Sequence, residues 1–218
     1  MSQTSYRSDL PQLPKRMQRL PLDDRGYPVP WFVDWLDGKP VFQAMDPQKF
    51  QKAIQQKRCW LCGERLGVYM AFVIGPMCGV NRVSSEPPCH RDCAEYAVRA
   101  CPFLTRPLAR RNLRGIDPAD VKRPAGVMIE RNPGVSLLWI TKSYKPFHAP
   151  NGILIRIGEA VDVSFWSQGR KASIEEIRTS VDSGLPILEG MAKNDGPSAE
   201  SELSHQVTAF EQLLTASV

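Results

Sequence analysis

Cys59-Trp60-Leu61-Cys62-Gly63 and, further on, Glu86-Pro87-Pro88-Cys89-His90-Arg91-Asp92-Cys93 are the stretches on which the fold turns. The sequence has six cysteines and three histidines. All the cysteines, and His90 with them, fall between Cys59 and Cys101. Cys59/Cys62 and His90/Cys93 are each separated by two residues, the spacing of soft ligands for a tetrahedral Zn²⁺. The expectation is a structural zinc site with Cys59, Cys62, His90 and Cys93 as ligands. Cys89 or Cys101 in place of His90 remains open at this stage.

The flanking residues suit this geometry. Gly63 tolerates the positive φ with which a Cys-x-x-Cys turn leaves the metal. Glu86-Pro87-Pro88 imposes an extended approach, and the residues from Arg91 to Ala100 read as helix. His90 and Cys93 then share the face of its first turn, where the helix N-terminus favours a thiolate. Ala94, Ala97, Val98 and Cys101 form a helical apolar stripe, so Cys101, like Cys78, reads as a small buried hydrophobe. A three-disulfide framework is the competing use of six cysteines. The start of the sequence is polar and proline-rich without an apolar leader, so reduced thiols and a cytoplasmic location are expected.

Between the ligand pairs, Val68 to Ile74 is an apolar run closed by Gly75-Pro76 and followed by Val80-Asn81-Arg82-Val83, which predicts a β-hairpin. Knuckle, hairpin and ligand-bearing helix, in that order, resemble a treble-clef zinc finger over residues 59–103. That resemblance implies a fold and a structural Zn²⁺; treble clefs serve nucleic-acid binding, protein binding and nuclease chemistry alike. The wider stretch, with Gly75-Pro76-Met77-Cys78, Asn81-Arg82, Glu86-Pro87-Pro88, His90, Cys93-Ala94 and Cys101-Pro102-Phe103-Leu104, also resembles a group of uncharacterised bacterial and phage proteins.

At 218 residues and 42% hydrophobic, the chain fills one sizeable core or two small ones. No apolar run approaches the length of a membrane helix, which argues against a membrane role. The formal charge of +5 is unevenly placed. From Arg99 to Arg123 there are seven basic and two acidic residues, a surplus equal to that of the whole chain. A basic stretch after a zinc module is a candidate nucleic-acid footprint, here Arg106, Arg110, Arg111, Arg114, Lys122 and Arg123; the alternative is a solvated surface.

The remaining sequence divides around that stretch. Residues 1–30, rich in proline, read as an extended or disordered arm. Residues 31–104 hold a hairpin turning at Asp37-Gly38, a short helix begun by Asp46-Pro47, and the zinc module. Trp31, Trp35 and Phe42 are expected in the core. Residues 105–133 form a basic connector with a short helix from Thr105 to Asn112. Residues 134–218 form an α+β half, with strands at 135–140, 153–157 and 161–166, the last two paired around Gly158. A helix follows, with Ser173 and Glu176 as its capping box and a stop at Gly184 and Pro186. A final helix carries Leu203, Val207, Phe210 and Leu214 on one stripe. The fold class is therefore α+β: a treble-clef-like zinc module with an antiparallel, strand-rich C-terminal half ending in helices.

Enzymatic readings lack their residues. A His-Asn-His nuclease needs a histidine between Cys62 and Cys89, and there is none. Hydrolase pairings of Cys78, Cys101 or Ser143 with His148 have no nucleophile elbow around them, and Gly75-Pro76-Met77-Cys78-Gly79 lacks the lysine of a phosphate loop. His148 is expected in a loop, and Arg82 and Glu86 either as an ion pair or as contacts to a ligand. The sequence thus points to a non-enzymatic zinc-binding protein that contacts nucleic acid. The alternatives are a zinc-stabilised protein-interaction module and, after it, a treble-clef nuclease or hydrolase.

Overall fold

The structure, a computed structural model, describes residues 4–107, 109 and 132–216. In chain order the elements are β1 (Val33–Leu36), β2 (Lys39–Met45), α1 (Pro47–Gln55), β3 (Met70–Ile74), α2 (Pro76–Asn81), β4 (Val83–Ser84), α3 (Arg91–Ala100) and α4 (Pro102–Thr105). There follow β5 (Ser136–Thr141), β6 (Tyr144–Ala149), β7 (Gly152–Ile157), β8 (Ala160–Ser167), β9 (Arg170–Lys171), α5 (Ile174–Asp195) and α6 (Pro197–Ala216). The class is α+β. A hairpin of β1 and β2, a four-stranded sheet in the order β3-β5-β8-β9 and a three-stranded sheet in the order β4-β7-β6 make up the strands.

All six positions of β5 are buried, as in a strand covered on both faces. Alternation sorts its side chains and those of β3 into two layers. Ala71, Val73, Leu138 and Ile140 pack towards Cys59, Cys62, Cys93, Ala94 and Val98. Phe72, Ile74, Leu137 and Trp139 pack towards Met77, Ile177, Phe210 and Leu214 on α2, α5 and α6. The sheet thus has the Cys59–Cys62 turn and α3 on one face and α2, α5 and α6 on the other.

Several expectations hold. Asp46 caps α1 by accepting from the N–H groups of Gln48 and Lys49, Ser173 and Glu176 form a complete capping box, and Phe210 and Leu214 bury the final stripe.

Others are corrected. Gly75-Pro76 opens α2 rather than turning a hairpin, because proline's fixed φ suits the first helical position. After α2, Arg82 leaves in a left-handed conformation (φ 55°) and β4 pairs with β7, not β3. The turn from Cys59 to Gly63 and helix α3 are therefore present without the expected hairpin between them. β7 and β8 are not a hairpin either: β4 and β6 occupy both edges of β7, and β8 pairs with β5. Helix α5 runs through Pro186. Gly184 is a close approach instead of a stop, since a Cβ there would lie 2.7 Å from Met77 Cγ. His148 is on β6, opposite Ile153. Trp35 and Phe42 are exposed, at 41% and 37%; Trp31 is half-buried. Arg82 pairs with Glu159 at 2.7 Å rather than with Glu86.

The proline-rich N-terminal segment has little regular structure beyond a 3-10 turn at Lys15–Met17, yet Met17 and Val29 are buried and Leu10, Leu13 and Leu20 pack on the core. No helix among the described residues is long and apolar enough to cross a membrane.

Candidate metal centre

The first ligand pair lies on a tight turn. Gly63 N–H donates to Cys59 C=O at 2.8 Å, and Cys62 N–H points to Cys59 Sγ at 3.5 Å. Gly63 has φ +75° and lies against the Trp31 ring, where a Cβ would come within 2.7 Å. The second pair is brought in by a two-residue bridge: Ala71 N–H to Cys89 C=O at 2.8 Å and Cys89 N–H to Ala71 C=O at 2.7 Å. β3 thereby fixes the residue before His90, while Trp60 N–H holds Pro88 C=O at 3.1 Å. His90 is the N-cap of α3, and Cys93 follows in its first turn.

These turns bring Cys59, Cys62, His90 and Cys93 together. Their ligand atoms all lie within 4.8 Å of one another, the one such group among the described residues, and all four are buried. His90 Nδ1 is 3.4 Å from Cys62 Sγ. Ligands about 2.0–2.3 Å from one tetrahedral ion lie about 3.3–3.8 Å apart, so this separation fits a shared metal.

The imidazole is oriented from behind. Its Nε2 lies 3.0 Å from the Arg65 carbonyl. A carbonyl only accepts, so Nε2 carries a hydrogen and Nδ1 is the nitrogen turned towards the sulfurs.

The sulfurs and the imidazole also act on one another electrostatically. Burial pushes the Cys59 thiol up, but hydrogen bonds from Cys62, Cys89, Cys93 and His90 outweigh it and hold the group well below the ordinary thiol range. Burial likewise works against charge on His90, and the Cys59 and Cys62 sulfurs overcome it, raising its pKa to about 10. Cys93 is pushed up by its hydrogen bonds to Cys59 and Cys62 and by burial. Sulfurs this close compete for protons, and a cation among them would relieve that competition.

Charges from the N-terminal segment cover the site. Arg16 reaches Asp92 at 3.0 Å and Glu64 at 3.5 Å, and Arg19 reaches Glu64 at 3.0 Å and the Cys62 carbonyl at 3.1 Å. Asp92 is the main group that raises the Arg16 pKa, with Cys93 and Cys62 adding to it. Three thiolates and a neutral imidazole around a divalent ion would leave one negative charge, which Arg16 would partly offset. Neither this cover nor the Arg65 carbonyl was legible in the residue pattern, because one depends on a contact across more than forty positions and the other on a backbone atom.

The other candidates are placed differently. Cys89 is buried beside the cluster and outside it. Cys101, the C-cap of α3, and Cys78, on α2, are also outside it; burial raises the Cys78 thiol to about 11. Arg106 is exposed after α4, whereas Arg110, Arg111, Arg114, Lys122 and Arg123 lie outside the described residues. Asn81 Oδ1 accepts from Val83 N–H at 2.9 Å, so its side chain is used in a local turn.

No family model, curated protein or solved structure matches the chain.

Proposed function

We propose that the chain is a zinc-binding protein in which Cys59, Cys62, His90 and Cys93 hold one structural Zn²⁺, and that it contacts nucleic acid. The buried convergence of three sulfurs and one imidazole carries the first part. Thiolate and imidazole donors in a four-ligand set suit Zn²⁺. With every position supplied by the protein, the ion has no open place for water or substrate, which is why its role is structural. Structural zinc contributes about 10–16 kcal/mol of apparent binding free energy near neutral pH in small fingers, more than a typical domain's whole stability. Metal analysis of protein purified without chelator tests this. About one zinc per chain is expected, with loss of folded structure on strong chelation; less than a tenth of an equivalent overturns it.

Support for nucleic acid comes from the basic surplus of residues 99–123. Arg106, Arg110, Arg111, Arg114, Lys122 and Arg123 are assigned to phosphate contact.

A protein-interaction module is the second reading, favoured by the exposed Trp35, Leu36 and Phe42 on the β1–β2 hairpin. On that reading the arginines are solvated and no oligonucleotide binds.

A further inference from the structure

The three-stranded sheet has an outward face of unusual composition. Residues directly opposite in an antiparallel pair share a face, so the register sorts the strands. Tyr144 opposite Ile157 and Pro146 opposite Ile155 face inward, where Ile155 and Ile157 are buried. Lys145 opposite Arg156 and Phe147 opposite Leu154 face outward, joined by Val83 of β4 opposite Arg156. Lys145 and Arg156 are exposed, and Phe147, Leu154 and Val83 are half-buried.

Like charges set directly opposite on neighbouring strands repel, and sheets gain from placing a carboxylate at one of the two positions. Here the sequence from Thr141 to Gly158 contains Lys142, Lys145 and Arg156 and no acidic residue. The ion pairs among the described residues include neither Lys145 nor Arg156. Arg156 instead lies over the Phe147 ring, 5.6 Å from its centroid. Two adjacent cations ask for an anion, and an aromatic ring with a guanidinium across it offers a flat surface on which a base stacks.

We propose that this face binds single-stranded nucleic acid, with phosphates against Lys145 and Arg156 and a base stacked at Phe147. The proposal rests on the nucleic-acid reading above and adds a site to it within the described fold. A single strand is the occupant because only its bases are free to stack on a sheet surface; in a duplex the base faces are covered by their neighbours.

The test measures binding of full-length protein to a labelled single-stranded oligonucleotide, a duplex of equal length and a polyglutamate competitor, over a range of salt. Phe147→Leu keeps an apolar group of similar size and is expected to weaken single-strand binding about 5- to 150-fold, the loss of one base stack. Lys145→Gln with Arg156→Gln is expected to reduce the salt slope by about 1.4, two phosphate contacts at about 0.7 each. Zinc content and circular dichroism establish that each variant is folded; should Phe147→Leu misfold, the glutamine pair alone decides. Three outcomes overturn the proposal in distinguishable ways. Binding retained by these variants but lost in Arg110→Ala with Arg111→Ala leaves nucleic-acid binding standing and removes this face from it. Polyglutamate competing as well as the oligonucleotide, with Phe147→Leu unchanged, reduces the face to a site for any polyanion. No oligonucleotide binding by the unaltered protein at low salt removes the nucleic-acid reading itself.

Discussion

The His90 imidazole is set between the Arg65 carbonyl, 3.0 Å from its Nε2, and the Cys62 sulfur, 3.4 Å from its Nδ1. The backbone thereby selects which nitrogen faces the cysteine sulfurs. His90→Ala removes a ligand and opens a path for water, so zinc occupancy after dialysis should fall well below that of the unaltered protein. Cys89→Ser, at the neighbouring position outside the cluster, should keep close to one equivalent. Equal zinc loss in the two variants would mean that the third ligand is wrongly assigned to His90.

Gly63 is constrained twice. Its φ of +75° costs an L-residue about 1–2 kcal/mol, and a Cβ would enter the Trp31 ring at 2.7 Å. Overpacking of that kind costs about 1–3 kcal/mol. Gly63→Ala is therefore expected to destabilise by about 2–5 kcal/mol, the two terms together, read as a lowered urea midpoint in the zinc-loaded protein. A shift under about 0.5 kcal/mol, the range of an ordinary surface change, would mean that the turn relaxes and does not set the ligand geometry.

What the sequence reveals follows from how local the determining physics is. The Cys-x-x-Cys turn, the Asp46 cap, the Asp37-Gly38 hairpin and the Ser173 box each depend on residues within one turn of chain, and each is found where the residues place it. Gly75-Pro76 misleads because the same dipeptide starts a helix or turns a hairpin; the choice is made by α2 packing on α5 and α6, where a Cβ on Gly79 would meet Leu137 and Phe210 at 2.8 Å. Pro186 misleads in the other direction: the apolar contacts of α5 outweigh the one hydrogen bond that proline removes. Strand partners are the least local feature. Nothing in Val83-Ser84 announces Arg156 and Ile155 as its partners, and Trp35, apolar by type, is exposed because of its position on the β1–β2 hairpin.

Glu176 links α5 to the end of the sheet. Its oxygens accept from Arg170 at 2.9 Å and from Ser173 N–H at 2.8 Å. Arg170 above all, with Ser173 and Ser167 adding and burial opposing, lowers its carboxyl from 4.5 to about 2. A depressed carboxylate stabilises the fold fully above its unfolded value and loses that contribution as pH falls from about 4.5 towards 2. Glu176→Ala should cost about 1 kcal/mol at neutral pH. The difference between variant and unaltered protein, followed by urea unfolding, should shrink through that acid window. A difference independent of pH would show that the side chain acts by packing alone.

The basic surplus of residues 99–123 makes a quantitative demand on nucleic-acid binding. Each phosphate neutralised by Arg106, Arg110, Arg111 or Arg114 releases condensed counterion, so log K falls against log salt by about 0.9 per contact on duplex and about 0.7 on single strands. Four contacts give a slope of roughly −3 to −4. Arg110→Ala with Arg111→Ala should reduce its magnitude by about 1–2, leaving zinc content unchanged, since phosphate contacts position a nucleic acid without reading its bases. Further contacts at Lys145 and Arg156 would steepen the single-strand slope beyond that of the arginines alone. Titration at low and near-physiological salt separates these contributions. Absence of binding at low salt, where electrostatic attraction is least screened, would leave the β1–β2 hairpin, with Trp35, Leu36 and Phe42 exposed, as the surface through which the protein acts.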